Sequence, residues 1–169
     1  NITYKIDPGR ASRSAQAQLA LGQPTNGTGY GNSDLVLGPA QVLENIHAVQ
    51  RRTSGLPLSP ELVVSPAAGL NLDIEMETGT GKTYVYIKTI MELHRQFGWS
   101  KYVVVVPSIA IREGVKKSFE ITAEHFLGEY RTQARAFVYD SDHLDEVETF
   151  SSDDGIQVMI INAQNFNRD

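Results

Sequence analysis

With 169 residues, 41% of them apolar and 21% charged, the chain has the makings of one domain with a sizeable core. It has no cysteine, which excludes disulfides and thiolate metal sites and suits a reducing, cytoplasmic compartment. A net charge of −5 argues against a general nucleic-acid coat, and no apolar run approaches the ~20 residues of a membrane span.

Ile2 to Ile6 alternates apolar and polar residues, the pattern of a short edge strand, and Asp7-Pro8-Gly9 breaks it. Ala11 to Leu21 reads as a small helix. Gly22 to Asp34 mixes Gly22, Gly27, Gly29 and Gly31 with Pro24, Asn26 and Asn32, the composition of a flexible loop. Residues 1–34 are therefore expected to be a poorly structured N-terminal segment, and residues 35–169 the folded part. Because the first residue is Asn1 and not Met, we read the chain as a fragment or a processed product.

Pro39 suits the first position of a helix. Val42, Ile46 and Val49 follow at helical spacing, with Leu43 beside them and an end near Thr53-Ser54-Gly55. Leu56 to Gly69 holds Pro57, Pro60 and Pro66 and reads as irregular, with a short strand at Leu62-Val63-Val64.

The centre of the chain is Met76-Glu77-Thr78-Gly79-Thr80-Gly81-Lys82-Thr83. An apolar stretch, Leu70 to Ile74, runs into it as a strand, and a helical pattern, Thr83 to Phe97, runs out. A strand, a glycine-rich turn ending in Gly-Lys-Thr and a helix form the context of a phosphate-binding loop. Backbone N–H groups from Gly79 to Thr83 would form an anion nest at a helix N-terminus. Thr78 and Thr80 complete the nucleotide loop, Lys82 would reach the β- and γ-phosphates of ATP, and the Thr83 hydroxyl would hold Mg²⁺. The strict pattern has Gly at its first position, where this chain has Met76.

Along the following helix Tyr86, Ile90, Leu93 and Phe97 share one face, and Gly98 is a natural stop. Tyr102 to Val106 is a continuous β-branched run ended by Pro107, the mark of a strand buried on both faces. Ser108 stands where an N-cap begins the next helix, which continues in pieces to Phe126 and is interrupted at Gly128. Ala136 to Tyr139 reads as a further strand. Ser141 would cap a short helix with Leu144 and Val147 facing inward, and Ile156 to Ile161 is another continuous apolar strand. Strands alternating with helices imply an α/β fold with a parallel sheet and flanking helices. Bases cluster at Arg51-Arg52 and at Arg112, Lys116 and Lys117. The run from Asp140 to Asp154 is acidic without a Lys or Arg and reads as a solvated face. His47, His94, His125 and His143 show no metal-ligand spacing.

The stretch Leu72 to Tyr86 closely resembles the ATP-binding motif of the restriction (Res) subunits of type III restriction–modification enzymes, which belong to helicase superfamily two. Met76 fits that family's pattern. Val103 to Val115 is similar to the family's next motif, and Phe137 to Ser141 and Val158 to Phe166 to its later landmarks. The resemblance covers Leu70 to the C-terminus. It implies the N-terminal part of a first RecA-like P-loop motor domain, in a parent that couples ATP hydrolysis to DNA cleavage beside a methyltransferase (Mod) subunit. It also implies DNA contacts through Ser108, Arg112, Asn162 and Gln164. A solvated helix residue is the competing reading of Arg112. Gln41 stands about where such proteins carry a glutamine that reads adenine, but Asn45 replaces the usual isoleucine, so an ordinary exposed residue is its alternative. The family's following motif is Asp-Glu on a further strand. No pair here fits it, so the domain is expected to stop short of that motif, to contain no catalytic residue, and to be inactive alone. The rival functions are a non-catalytic nucleotide-binding or assembly module and another P-loop NTPase; the second needs its own Mg²⁺ carboxylate and base-reading motif, and neither is evident.

Overall fold

A computed structural model describes residues 31–33, 36–52, 57–65 and 68–164. The strand and helix expected before Gly22, and the helix end at Thr53-Ser54-Gly55, lie outside the described residues. The chain divides into two compact units, each taken by itself below.

The first unit extends to Glu77 and holds α1 (Pro39–Arg52), β1 (Val63–Ser65) and β2 (Ala68–Asn71). Pro39 opens α1 as expected, and the Gly38 carbonyl accepts from the N–H groups of Gln41 and Val42 at 3.0 and 3.1 Å. Val42 is buried in α1. Polar groups fasten the rest of the helix: His47 Nε2 donates to the Ser59 carbonyl at 2.7 Å, and Gln50 both donates to Ser59 Oγ at 2.8 Å and accepts from its N–H at 3.0 Å. Strands β1 and β2 pair antiparallel, Val63 opposite Asn71. The expected strand from Leu70 to Ile74 is therefore corrected. It ends at Asn71, belongs to a local antiparallel pair, and leaves Leu72 and Ile74 exposed. Pairing with a neighbour close in sequence closes a short loop at small entropic cost.

The second unit holds Asn32, Ser33 and everything from Thr78. Its elements are α2 (Lys82–Phe97), β3 (Lys101–Val106), α3 (Ile109–Tyr130), β4 (Ala134–Val138), α4 (Leu144–Ser152) and β5 (Ile156–Asn162). The sheet is parallel, in the order β3-β5-β4. One face carries Tyr102, Val104, Val106, Ile156, Val158 and Ile160 and packs against Ile87, Ile90 and Met91 of α2 and Val115, Phe119 and Phe126 of α3. On the other face Phe137 meets Phe150 of α4 edge to face, 5.9 Å between ring centroids. Burial on both faces holds for the central strand β5. On the edge strand β3, Val103 and Val105 are 49% and 53% exposed. The buried stripe of α2 is Ile87, Ile90 and Met91; of the expected Tyr86, Ile90, Leu93 and Phe97, Ile90 is buried and Tyr86 packs against the core half-buried.

Gly98 stops α2 as expected, left-handed at φ 67°, its N–H on the His94 carbonyl at 2.7 Å. The break expected at Gly128 does not occur: α3 runs unbroken to Tyr130 and ends on Arg131 in the left-handed region. A glycine inside a helix costs only ~1 kcal/mol, less than the buried contacts of Val115, Phe119 and Phe126 supply. Ser141 does not cap α4. The Asp140 carboxylate organises that turn, accepting from the Asp142 N–H and from His143 Nδ1, each at 3.0 Å. Leu144, expected inside, is 64% exposed.

Asn32 contributes a contact no local pattern foretold. Gln157 N–H bonds the Ser100 carbonyl at 2.7 Å and Gln157 lies opposite Lys101, so the backbone groups of Lys101 face away from β5. The Asn32 carboxamide meets that outward edge. Its Oδ1 accepts from the N–H groups of Ser100 and Lys101 at 2.8 and 2.9 Å, and its Nδ2 donates to the Lys101 carbonyl at 2.6 Å. One side chain thus replaces a strand's rung, and Trp99 Nε1 adds a bond to Ser33 Oγ at 3.0 Å.

Candidate functional site

The glycine-rich turn needs its glycines for conformation. Gly79 and Gly81 both sit at φ 83°. A Cβ there would meet nothing within 4 Å, so space is not the constraint; the left-handed backbone is. Gly81 is the N-cap of α2, and Val85 N–H returns to its carbonyl at 3.0 Å. As a glycine the N-cap brings no capping side chain, and the first turn of α2 has no acidic residue. First-turn N–H groups find no acceptor within a helix, and the macrodipole adds positive potential there. Thr78, Gly79, Thr80, Gly81 and Lys82 are exposed and Thr83 is half-buried, so the turn presents its backbone and the Lys82 and Thr83 side chains at one helix end.

One turn into α2, the Tyr86 ring packs against the core while its hydroxyl is shut from water without a hydrogen-bond partner. Burial pushes this phenol up, with a smaller opposing pull from the Thr83 hydroxyl. On either side of Tyr86, α2 is tied to α3: the Tyr84 hydroxyl shares a hydrogen bond with His125 Nε2, and Lys88 pairs with Glu129, both at 2.8 Å.

Because α2 runs down to Gly98 and β3 runs back up, the start of α2 lies toward the carboxyl edge of the sheet. The other candidates gather at that edge. Ser108 is the N-cap of α3, its Oγ accepting from Ile111 N–H at 3.3 Å. Arg112 is neither a freely solvated cation nor an open hand: its Nε and Nη2 fork onto Glu113 Oε1 at 3.1 and 2.9 Å. It also helps hold the Asp140 carboxyl below its ordinary range, after the larger effects of the Asp142 N–H and His143. Asn162 closes β5 in register with Val106. It departs from the expected DNA-facing side chain, being 3% exposed with its Oδ1 unpartnered. Gln164, two residues on, is exposed. Gln41 is exposed on the first turn of α1, in the other unit.

The residues present fit a nucleotide's phosphates better than they enclose a metal. A helix N-terminus without an acidic first turn suits an anion, Thr83 offers a single hydroxyl to Mg²⁺, and among the described residues no three acidic, His or Cys side chains gather to hold a cation.

A parallel sheet flanked by helices, with a glycine turn feeding Lys-Thr into one of them, defines an α/β RecA-like P-loop domain. Residues 42–169 match the family described as type III restriction enzyme, res subunit, and the chain belongs to that family. It is 38% identical over 112 residues to the EcoP15I Res subunit of Escherichia coli, covering 65% of this chain and 11% of that protein. It is 40% identical over 72 residues to the EcoPI Res subunit of Escherichia phage P1, covering 41% of this chain and 7% of that protein. Identity to the StyLTI Res subunit of Salmonella typhimurium is 34% over 115 residues, covering 57% and 12%. The chain thus spans about a tenth of the length of these curated relatives. Among the described residues no helix is long and apolar enough to cross a membrane.

Proposed function

We propose that this chain is the nucleotide-gripping part of an ATP-driven DNA motor in a type III Res subunit, acting in the cytoplasm beside a methyltransferase (Mod) subunit. The observation that carries the reading is the left-handed Gly79 and Gly81 turn, which delivers Lys82 and Thr83 to the start of α2. Backbone N–H groups hold the phosphates, Lys82 places its charge on the β- and γ-phosphates, and Thr83 supplies an oxygen to Mg²⁺. Bound Mg²⁺ would neutralise phosphate charge as the terminal phosphoryl group departs. Gln41 is proposed to read the adenine. Ser108, Arg112 and Gln164 are proposed to touch DNA at the carboxyl edge of the sheet, where Asn162 is buried at the end of β5. In domain terms, residues 35–169 are the proposed partial motor domain, and residues 1–34 its N-terminal extension.

Phosphoryl transfer depends on positioning and charge stabilisation, so loss of one preorganised cation should be severe. Lys82→Ala in the full-length protein should lower ATP turnover about 10²- to 10³-fold, the range for removing one such group. Near-normal turnover by a folded Lys82→Ala protein would refute the assignment.

A further inference from the structure

We propose that Tyr86 is a positioning residue for Thr83, donating its phenolic proton to Thr83 Oγ1 and fixing the rotamer in which that oxygen faces Mg²⁺. This rests on the phosphate-loop reading above. Residues three apart on a helix are neighbours on one face, so Tyr86 lies one turn beyond Thr83 along α2. Buried hydroxyls almost always find a partner, yet this one has none while its ring is packed into the core. A group held out of water and facing a hydroxyl is set to bond with it after a small torsional change.

The partner chemistry agrees. Threonine oxygen has two lone pairs; one can accept from Tyr86 while the other faces a cation. Thr83 is the second residue of α2, so no preceding helical turn restricts its χ1 to one well. A donor that selects one well therefore has something to select.

Tyr86→Phe removes the proton and keeps the ring. In the full-length protein we expect no loss of melting temperature without ligand, because an unpartnered buried hydroxyl is removed. Binding of a fluorescent ATP analogue in excess EDTA should be unchanged. The Mg²⁺ concentration that gives half-maximal enhancement of that binding should rise about threefold to tenfold, the equivalent of one net hydrogen bond. An unmoved Mg²⁺ midpoint overturns the proposal. So does a lower melting temperature with binding weakened equally with and without Mg²⁺, which would make Tyr86 a packing residue only. Thr83→Ala separates this failure from that of the underlying reading. If Thr83→Ala binds the Mg²⁺ nucleotide as the wild type does, the phosphate-loop reading itself fails. If Thr83→Ala loses the Mg²⁺ response and Tyr86→Phe keeps it, only the role of Tyr86 is wrong.

Discussion

Asn32→Ala should release the outer edge of β3 without unfolding the sheet. The substitution removes the three hydrogen bonds that the carboxamide makes to Ser100 and Lys101, at 2.8, 2.9 and 2.6 Å. A hydrogen bond contributes a net ~0.5–1.5 kcal/mol, less where water competes, and two of these three are exposed. About 2 kcal/mol is a reasonable total, and at 1.4 kcal/mol per factor of ten that is roughly a thirtyfold change in local opening. The assay is amide hydrogen exchange by mass spectrometry on peptides spanning Trp99 to Val106 of the full-length protein. Exchange at Ser100 and Lys101 should quicken by that factor while the β5 amides stay protected. Asn32→Asp keeps an acceptor for the two N–H groups but sets a carboxylate against the Lys101 carbonyl, and should fall between wild type and alanine. Unchanged exchange at Ser100 and Lys101 in Asn32→Ala would show that the carboxamide does not hold this edge.

Two further predictions concern the carboxyl edge. Arg112→Gln should weaken DNA binding and reduce its salt slope by up to about one unit, one phosphate contact's worth; an unchanged slope in a binding titration across salt concentrations would leave Arg112 as the partner of Glu113 alone. The Asp140–His143 turn should make the start of α4 sensitive to pH. The hydrogen bond to Asp140 raises the His143 pKa, so its contribution is fully present below the ordinary histidine value and lost as pH rises through the raised one. The Asp142 N–H and His143 lower the Asp140 pKa, so its contribution is present above the ordinary carboxylate range and lost as pH falls through the lowered value. Amide exchange at Asp142 and His143, corrected for its intrinsic pH dependence, should be slowest between those limits. A flat profile identical to that of His143→Ala would refute the coupling.

What could be read from the sequence was what short-range physics decides. The run Ile156 to Ile161 reads as a strand buried on both faces, and β5 is one, because it lies between two other strands. The same pattern in Tyr102 to Val106 misleads by half. Composition says that valines suit a strand but not which position the strand takes, and β3 lies at an edge with Val103 and Val105 exposed. The stop at Gly98 and the cap at Ser108 are each settled within a few residues, and both hold. No break occurs at Gly128, because the buried contacts of α3 outweigh a local propensity of ~1 kcal/mol. Asn32 was invisible for a related reason: its partners are 68 and 69 residues away, beyond the reach of any periodicity.

The site divides along the same line. Gly79, Gly81, Lys82 and Thr83 are contiguous, so the left-handed turn and the helix start that define them follow from adjacent residues. The Arg112–Glu113 fork could not be expected, since successive residues do not face each other on a helix and only the length of the arginine lets it reach back. The apolar run of the sequence ends at Ile161. The strand continues one residue further, opposite Val106, and carries the polar group into the interior. Tyr86 shows the limit most clearly. Its place on an apolar stripe assigns it to the core, and for the ring that is correct. A tyrosine, however, is an apolar body with a polar tip, and its tip here is buried beside Thr83 without a bond. Periodicity locates a side chain's bulk; only coordinates show where its last atom ends, and at a phosphate-loop helix that atom decides whether the residue is packing or machinery.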